Sequence, residues 1–210
     1  TRGFVAQIGN IKCSNFNEKY IEKNLLRISD KSQYDNMTEL IDSVRKDGDS
    51  VGGVIEVRSI GVPAGLGSPV FEKIDAKLAS AIMSIGGVRG FEIGTGFSIA
   101  EKKGSEVNDI ILSKKGGKTK FKTNNAGGIL GGITNGNTIV LRFALKPTSS
   151  ISKEQESINS SGKKKKLRVT GRHDPCLCPR AVPIAEAMVN LVLLDCIMEN
   201  QLSNIKKISI

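Results

Sequence analysis

The sequence predicts an α+β fold. Strand-like and helix-like segments are mixed along the chain without strict alternation of the two kinds. With 210 residues, of which 39% are hydrophobic, the chain can bury a substantial core without help from a metal ion or disulfide bonds. Its most apolar stretch, residues 181–198, is interrupted by Pro183 and by polar side chains, which argues against a membrane-spanning segment.

The spacing of apolar residues predicts the elements in order. Alternating or β-branched segments predict strands over 3–11, 54–60, 91–99 and 139–146. Helical spacing predicts a short helix through Ile21, Leu25 and Ile28, a helix through 37–44, one from Ser68–Pro69 to Gly86–Gly87, and one over about 183–201. Serine followed by proline is a favoured helix start, with serine as the N-cap. The last helix is apolar around most of its circumference, so we expect it to be central.

Positive charge is concentrated in one part of the chain. The net charge is +10, and residues 101–172 hold 16 basic and five acidic side chains, which favours an anionic partner. Four consecutive lysines, Lys163 to Lys166, follow a stretch rich in Ser and Asn, so we expect residues 152–170 to form a flexible, solvated loop. A stand-alone polyanion- or RNA-binding module that uses residues 101–172 is the alternative function. Base-stacking aromatic residues are sparse there, which argues against it.

The cysteines do not predict a metal site. Cys176 and Cys178 form a C-x-C pair, Cys13 and Cys196 are distant in sequence, and the single histidine is His173. A tetrahedral zinc site needs four ligands at a suitable spacing. We therefore expect no metal, and free thiols in a reducing compartment.

Three motifs are candidates for chemistry. The first is the glycine-rich segment, residues 123–136, with five glycines in ten positions. Such a segment lets the backbone donate N–H groups to a ligand, or it forms a tight turn with a bulge. It matches neither the phosphate-binding loop of nucleotide hydrolases nor the dinucleotide-binding fingerprint.

The other two motifs contain charged side chains. Residues 146–150 read Lys-Pro-Thr-Ser-Ser, which predicts either a cradle for a phosphate or an ordinary turn. Residues 171–176 place Arg172, His173 and Asp174 side by side. Arginine can bind an anion while aspartate acts as a base; the alternative is an Arg–Asp pair that braces the entry to the last helix.

In this order, the motifs resemble the C-terminal portion of chorismate synthase. Residues 12–50 and 152–170 are the parts that vary. The blocks that carry the resemblance are Arg2-Gly3-Phe4-Val5 and residues 61–71, 83–85, 90–94, 104–106, 124–132, 146–150, 171–176 and 180–188.

The resemblance implies a fold and an activity. The fold would be a β-α-β sandwich with helices packed between antiparallel sheets, and residues 1–210 would be the C-terminal portion of a single domain. The activity would be that of a lyase that converts 5-enolpyruvylshikimate 3-phosphate to chorismate and phosphate, with reduced FMN as cofactor and NADPH as a reductant to consider. It further implies a homotetramer in the cytoplasm, with a plastid left open, and neither nucleic acid nor a membrane as partner.

The resemblance also implies site residues. Asp174 would be the catalytic carboxylate near the reactive flavin nitrogen, whereas we expect His173 to be structural. The residues expected to bind the cofactor are Gly86, Gly87, Asn125, Ala126, Gly131, Lys146, Pro147, Thr148, Ser149, Ser150 and Arg172. Relatives often have Asn-Ala in place of Gly86-Gly87, so contacts there must come from the backbone.

One part of the family pattern is absent from these residues. Members of the family carry an N-terminal half with two catalytic histidines and a Gly-Arg-Ser-Ser flavin segment, and neither occurs here. We therefore expect this chain by itself to be inactive.

Overall fold

A computed structural model describes residues 1–116 and 118–203. Of Lys114, Lys115 and Lys118, it describes the backbone alone. The strands are β1 (Arg2–Ile8), β2 (Ile11–Lys12), β3 (Gly53–Ser59), β4 (Val88–Ile93), β5 (Ile111–Lys115), β6 (Lys118–Phe121), β7 (Ile129–Leu130), β8 (Ile133–Thr134), β9 (Ile139–Leu145), β10 (Gln155–Ile158) and β11 (Lys164–Leu167). The helices are α1 (Glu18–Ile21), α2 (Tyr34–Lys46), α3 (Ile74–Met83), α4 (Gly104–Val107) and α5 (Cys178–Leu202).

The main sheet has five strands in the order β2-β1-β3-β9-β4. Three two-stranded antiparallel sheets accompany it: β5-β6, β7-β8 and β10-β11. The mixture of helices and antiparallel strands confirms the α+β class.

The chain divides into two units. The first unit contains residues 1–3, 56–143 and those from 183 onward, and the second contains residues 4–55 and 144–182. Each has its own buried apolar side chains. In the first they include Ile74, Leu78 and Ile82 of α3, and Ala185, Val189 and Cys196 of α5; in the second, Val5, Ile8, Ile21, Ile28 and Met37.

Three of the predicted elements are close to the observed ones. The helix through 37–44 is α2, and the strands over 54–60 and 139–146 are β3 and β9. In β9, Ile139, Leu141, Phe143 and Leu145 are buried in alternation, as the period of two requires.

The predicted start of α3 at Ser68–Pro69 was wrong. The Ser68 N–H donates to the Glu72 carbonyl at 3.0 Å, and these two residues form an isolated antiparallel bridge. That bridge closes a short loop, so the helix begins only at Ile74. Phe71, which lies within the predicted helix, is outside the observed one and is 91% exposed.

Three other predicted elements are shorter than expected. α1 ends at Ile21 because the Asn24 amide group donates to the Tyr20 and Ile28 carbonyls and its Oδ1 accepts from the Ile28 N–H. The strand over 3–11 is a hairpin, β1-β2, and the strand over 91–99 gives way to a 3-10 turn at Gly96–Glu101.

The expected loop over 152–170 contains a β-hairpin. β10 and β11 pair antiparallel with Ser157 opposite Lys165, which places three of the four consecutive lysines on a strand. The side chains of Lys163 to Lys166 are exposed, as expected for a solvated segment. The expected flexibility stays a prediction.

α5 begins earlier than predicted, at Cys178, with Pro183 inside it. Ala185, Val189 and Cys196 are buried, whereas Ile184, Leu191, Leu194 and Met198 are about half exposed or more. The helix therefore does not have the fully buried environment expected of a central one. Among the described residues, α5 is long and apolar enough to cross a membrane, a criterion that core helices of soluble proteins also meet.

Candidate functional site

The Lys-Pro-Thr-Ser-Ser segment, residues 146–150, lies immediately after β9. Pro147 has no N–H to donate to a neighbouring strand, so the strand ends there. Gly52 passes so close that a Cβ on it would clash with the Leu145 carbonyl oxygen and lie 3.0 Å from Pro147 N. The segment is therefore held against residue 52 by a backbone contact that only glycine permits.

Hydrogen bonds fix the shape of this segment. Ser50 Oγ donates to the Thr148 carbonyl at 2.7 Å, and Thr148 Oγ1 donates to the Asp174 carbonyl at 3.1 Å. Lys146 Nζ donates to Ser149 Oγ at 2.7 Å, and both of these residues are exposed. The structure thus brings residues 146–150 and Asp174 together within the second unit.

Asp174 forms an ion pair with a residue that the sequence analysis did not assign to it. Arg180 Nη1 donates to Asp174 Oδ2 at 2.6 Å. Arg180 lies in the first turn of α5, and helical side chains lean toward the N-terminus of their helix, where Asp174 lies. The pair that braces the entry to the last helix is therefore Arg180–Asp174, not Arg172–Asp174.

Arg172 and His173 make fewer contacts than their neighbours. Arg172 is exposed, and no hydrogen bond or ion pair joins it to the residues that the structure describes. Its guanidinium is available to an anion. His173 is half-buried, and its Nε2 has no hydrogen-bond partner within the same described part. The structural role expected of His173 stays a prediction.

In the first unit, Asp109 organises the glycine-rich segment. Its carboxylate accepts from the Asn125 N–H at 2.6 Å, the Ala126 N–H at 3.0 Å and Thr123 Oγ1 at 2.7 Å. Burial raises the pKa of Asp109, but the hydrogen bonds outweigh it, and the net pKa lies below the usual value. The two N–H groups are therefore occupied, so any contact of Asn125 or Ala126 with a flavin must come from other atoms.

The same segment contains a tight turn. β7 and β8 pair through Leu130 and Ile133, with Gly131 and Gly132 between them. Both glycines have positive φ, +59° and +83°, as a two-residue hairpin turn requires. The tight-turn interpretation is confirmed at these two positions. A Cβ added to Gly131 would meet nothing within 4 Å, so open space lies beside this predicted cofactor residue.

Gly86 and Gly87 lie in the turn that follows α3. The turn is closed by Val88 N–H donating to the Ile85 carbonyl at 3.1 Å. Within the described residues, the N–H groups of both glycines are without a hydrogen-bond acceptor. They can therefore donate to a ligand from the backbone, which is the kind of contact expected at these two positions.

The predicted site residues fall in two groups. Residues 146–150, Arg172 and Asp174 belong to the second unit. Gly86, Gly87, Asn125, Ala126 and Gly131 belong to the first. The roles of Asp109 and Arg180 were missed. Arg180 was within a block that carries the resemblance, whereas Asp109 is 16 residues from its partner Asn125, and no local pattern indicated it.

Comparisons with known proteins agree with the resemblance. The family model described as chorismate synthase matches residues 1–198. The chorismate synthase of Archaeoglobus fulgidus is 50% identical over 201 residues, which are 93% of this chain and 56% of that protein. The chorismate synthase of Synechococcus sp. (strain WH7803) is 47% identical over 191 residues, which are 91% of this chain and 53% of that protein.

A solved structure gives the same answer. A crystal structure of chorismate synthase superposes with a TM-score of 0.78 at 32% identity, covering 95% of this chain and 57% of that one. The fold is thus of the chorismate synthase type. The chain spans about half the length of the curated relatives it matches. On the match of residues 1–198 and of the fold, the chain belongs to the chorismate synthase family.

Proposed function

We propose that the protein to which this chain belongs converts 5-enolpyruvylshikimate 3-phosphate to chorismate and phosphate, a 1,4-elimination that depends on reduced FMN. The observation that carries the proposal is the family match over residues 1–198. The arrangement of residues 146–150 beside Asp174 supports it, because it offers a cation, hydroxyl groups and a carboxylate in one place.

These residues fit an anionic ligand. Lys146 and Ser149 are exposed and bond to each other, so an anion can replace that contact with two donors at once. Arg172 adds a second exposed cation. The flavin phosphate, the anionic edge of the flavin and the substrate phosphate all require donors of this kind.

Asp174 would hold and release a proton at the reactive flavin nitrogen. The Arg180 guanidinium contacts the Asp174 carboxylate at 2.6 Å, and a carboxylate held in this way can act as a base. Thr148 Oγ1 donates to the backbone carbonyl of Asp174, and Arg180 donates to its carboxylate, so both parts of Asp174 are held in place. Bound reduced FMN would supply transient electron density as the phosphate leaves, with no net oxidation or reduction.

The glycines of the first unit offer backbone donors of their own. The N–H groups of Gly86 and Gly87 are without acceptors in the described part of the chain, and space is open beside Gly131. We further propose a cytoplasmic homotetramer, with NADPH as a reductant to test. The competing proposal, a polyanion-binding module over residues 101–172, has the exposed lysines of β11 in its favour but no support from the comparisons.

The test is anaerobic turnover of the full-length protein with 5-enolpyruvylshikimate 3-phosphate and dithionite-reduced FMN. We expect chorismate and phosphate in equal amounts. We expect no turnover from residues 1–210 alone, and recovery when the remainder of the protein is added. Lack of turnover by full-length protein that binds FMN would refute the proposal. Retention of RNA on filters, lost when the four lysines are replaced, would favour the alternative.

A further inference from the structure

Three short segments of the second unit are joined to one another by hydrogen bonds. Ser50 Oγ donates to the Thr148 carbonyl at 2.7 Å, and Thr148 Oγ1 donates to the Asp174 carbonyl at 3.1 Å. The third contact is between backbone groups, from the Val51 N–H to the Pro175 carbonyl at 2.8 Å. Each pair of the three segments is therefore joined by a hydrogen bond, and together they form a triangle.

Two of these segments carry the groups of the proposed site. Thr148 is in the middle of residues 146–150, to which flavin binding is assigned, and Asp174 is the proposed base. The third segment, residues 50–51, lies in the loop between α2 and β3, outside every block that carries the resemblance. It has no charged side chain, and it donates to main-chain carbonyls of the other two segments. Its contacts hold those segments together and offer no acid or base.

Ser50 is itself held at its backbone. Its N–H donates to Asp49 Oδ1 at 2.9 Å, and Asp49 Oδ2 pairs with Lys153 Nζ at 3.0 Å. The Lys153 N–H donates to the Gly48 carbonyl at 3.0 Å. The half-buried Ser50 hydroxyl therefore reaches Thr148 from a loop that has contacts of its own, and its removal should not unfold that loop.

On the basis of the proposed function, we propose that Ser50 is a positioning residue, which holds Thr148 and, through it, Asp174 in the arrangement that binds the flavin and moves a proton. Catalysis requires the reacting groups to be held in place, and a displacement of about 1 Å can lower a rate by about 10²-fold. Loss of the Ser50 hydroxyl frees the Thr148 carbonyl and with it the residue that contacts Asp174. Ser50 acts through these two residues and not on the flavin itself.

Kinetics and flavin binding of the full-length Ser50→Ala variant test the inference. We expect kcat, measured anaerobically with dithionite-reduced FMN, to fall by about 10–100-fold. FMN affinity, measured by fluorescence titration, should fall by about two- to tenfold, which is the effect of one ordinary hydrogen bond. The matched control is Ser152→Ala, which also removes a hydroxyl that donates to a main-chain carbonyl, that of Gly48 at 3.4 Å. It should change both quantities by less than about twofold.

Two further variants separate positioning from a general loss of structure. Ser50→Thr keeps the donating hydroxyl and should restore both quantities to within about threefold of the parent values. In the Asp174→Asn background, Ser50→Ala should lower kcat by less than about threefold more, because the carboxylate that Ser50 positions no longer acts as a base. Urea unfolding establishes that each variant is folded under the assay conditions.

Equal kcat and equal FMN affinity of Ser50→Ala and Ser152→Ala would overturn the inference. So would a loss in Ser50→Thr as large as in Ser50→Ala, or a full tenfold loss of kcat when Ser50→Ala is added to Asp174→Asn. If the parent protein binds FMN but does not turn over, the proposed reaction fails. The difference in FMN affinity between the two alanine variants then still decides the role of Ser50.

Discussion

Two segments rich in small and polar residues, 123–136 and 146–150, differ in where their hydrogen-bond donors go. In the first, the Asp109 carboxylate accepts hydrogen bonds from the N–H groups of Asn125 and Ala126, and Asn124 Oδ1 accepts one from the Gly128 N–H. In the second, Lys146 and Ser149 are exposed and bond to each other. The glycine-rich segment therefore uses its backbone donors to hold itself together, while the other presents side-chain donors to solvent.

The difference shows what glycine density means in this chain. Glycines at 131 and 132 serve a hairpin turn with positive φ, which is a requirement of backbone geometry. The exposed side chains of Lys146 and Ser149, just after a buried strand, bond only to each other and have no comparable structural need. We therefore expect anion binding to depend mainly on residues 146–150 and Arg172, and folding mainly on the contacts around Asp109.

The largest expected effect is on turnover, through Asp174→Asn. The change keeps the shape of the side chain but removes its basicity, so turnover of the full-length enzyme should fall by about 10²–10⁴-fold. FMN affinity should change by less than about tenfold, because binding contacts are largely kept. Anaerobic turnover and a flavin titration measure the two quantities. Normal turnover of Asp174→Asn would mean that Asp174 only braces Arg180. Arg180→Ala should then also have normal turnover.

The next effect is on stability, through Asp109→Ala. The change leaves two backbone N–H groups without their acceptor, which should lower the free energy of unfolding by about 2–3 kcal/mol. Urea unfolding of the full-length protein measures it. Glu101→Ala, which removes an exposed carboxylate, is the control and should stay within about 0.5 kcal/mol. Equal stability of the two variants would contradict the structural role given to Asp109.

A smaller effect should appear in the pH dependence of stability. The pKa of Asp109 is lowered in the folded protein, so its contribution is present above the ordinary value of 3.8 and is lost as the pH falls below it. Asp109→Asn should therefore flatten the acid limb of the stability curve relative to the parent protein. Thermal unfolding from pH 6 downward, to about pH 3, checks this. If stability falls with pH equally in the parent protein and in Asp109→Asn, Asp109 does not contribute to the pH dependence.

The smallest effect is expected from the lysines of the β10-β11 hairpin. Replacing Lys163 to Lys166 by serine should change stability by less than about 0.5 kcal/mol, because their side chains are exposed. The ion pair between Lys166 and Glu154, at 2.5 Å, is on the surface and contributes little. Turnover at saturating substrate should be unchanged. A collapse of turnover would place this hairpin in the active site.

Sequence patterns predicted the elements whose apolar residues face one core. β9 and α2 followed from their periods of two and 3.6 residues. The start of α3 did not, because the hydrogen bond between Ser68 and Glu72 overrides a favourable helix start, and no local pattern reports that bond. Helix-start rules describe local preference, which a loop closed by its own backbone can defeat.

The candidate site shows the same limit. The chemistry of residues 146–150 and of Asp174 was readable from residue types, and the resemblance assigned their roles. Their partners were not readable, because Ser50 is 98 residues from Thr148 and Asp109 is 16 residues from Asn125. Contacts between distant parts of the chain depend on the fold, so the sequence indicated which groups matter but not which groups hold them.

FMN binding by the full-length Lys146→Ala/Arg172→Ala double variant tests the central claim most directly. Flavin fluorescence titration compares it with the parent protein and with Asp109→Ala at a temperature where all three are folded. We expect the double variant to lose at least about tenfold in affinity at unchanged stability, because it loses two cationic donors to the flavin. Unchanged affinity in the double variant, with a loss confined to Asp109→Ala, would contradict the claim and assign flavin binding to the glycine-rich segment.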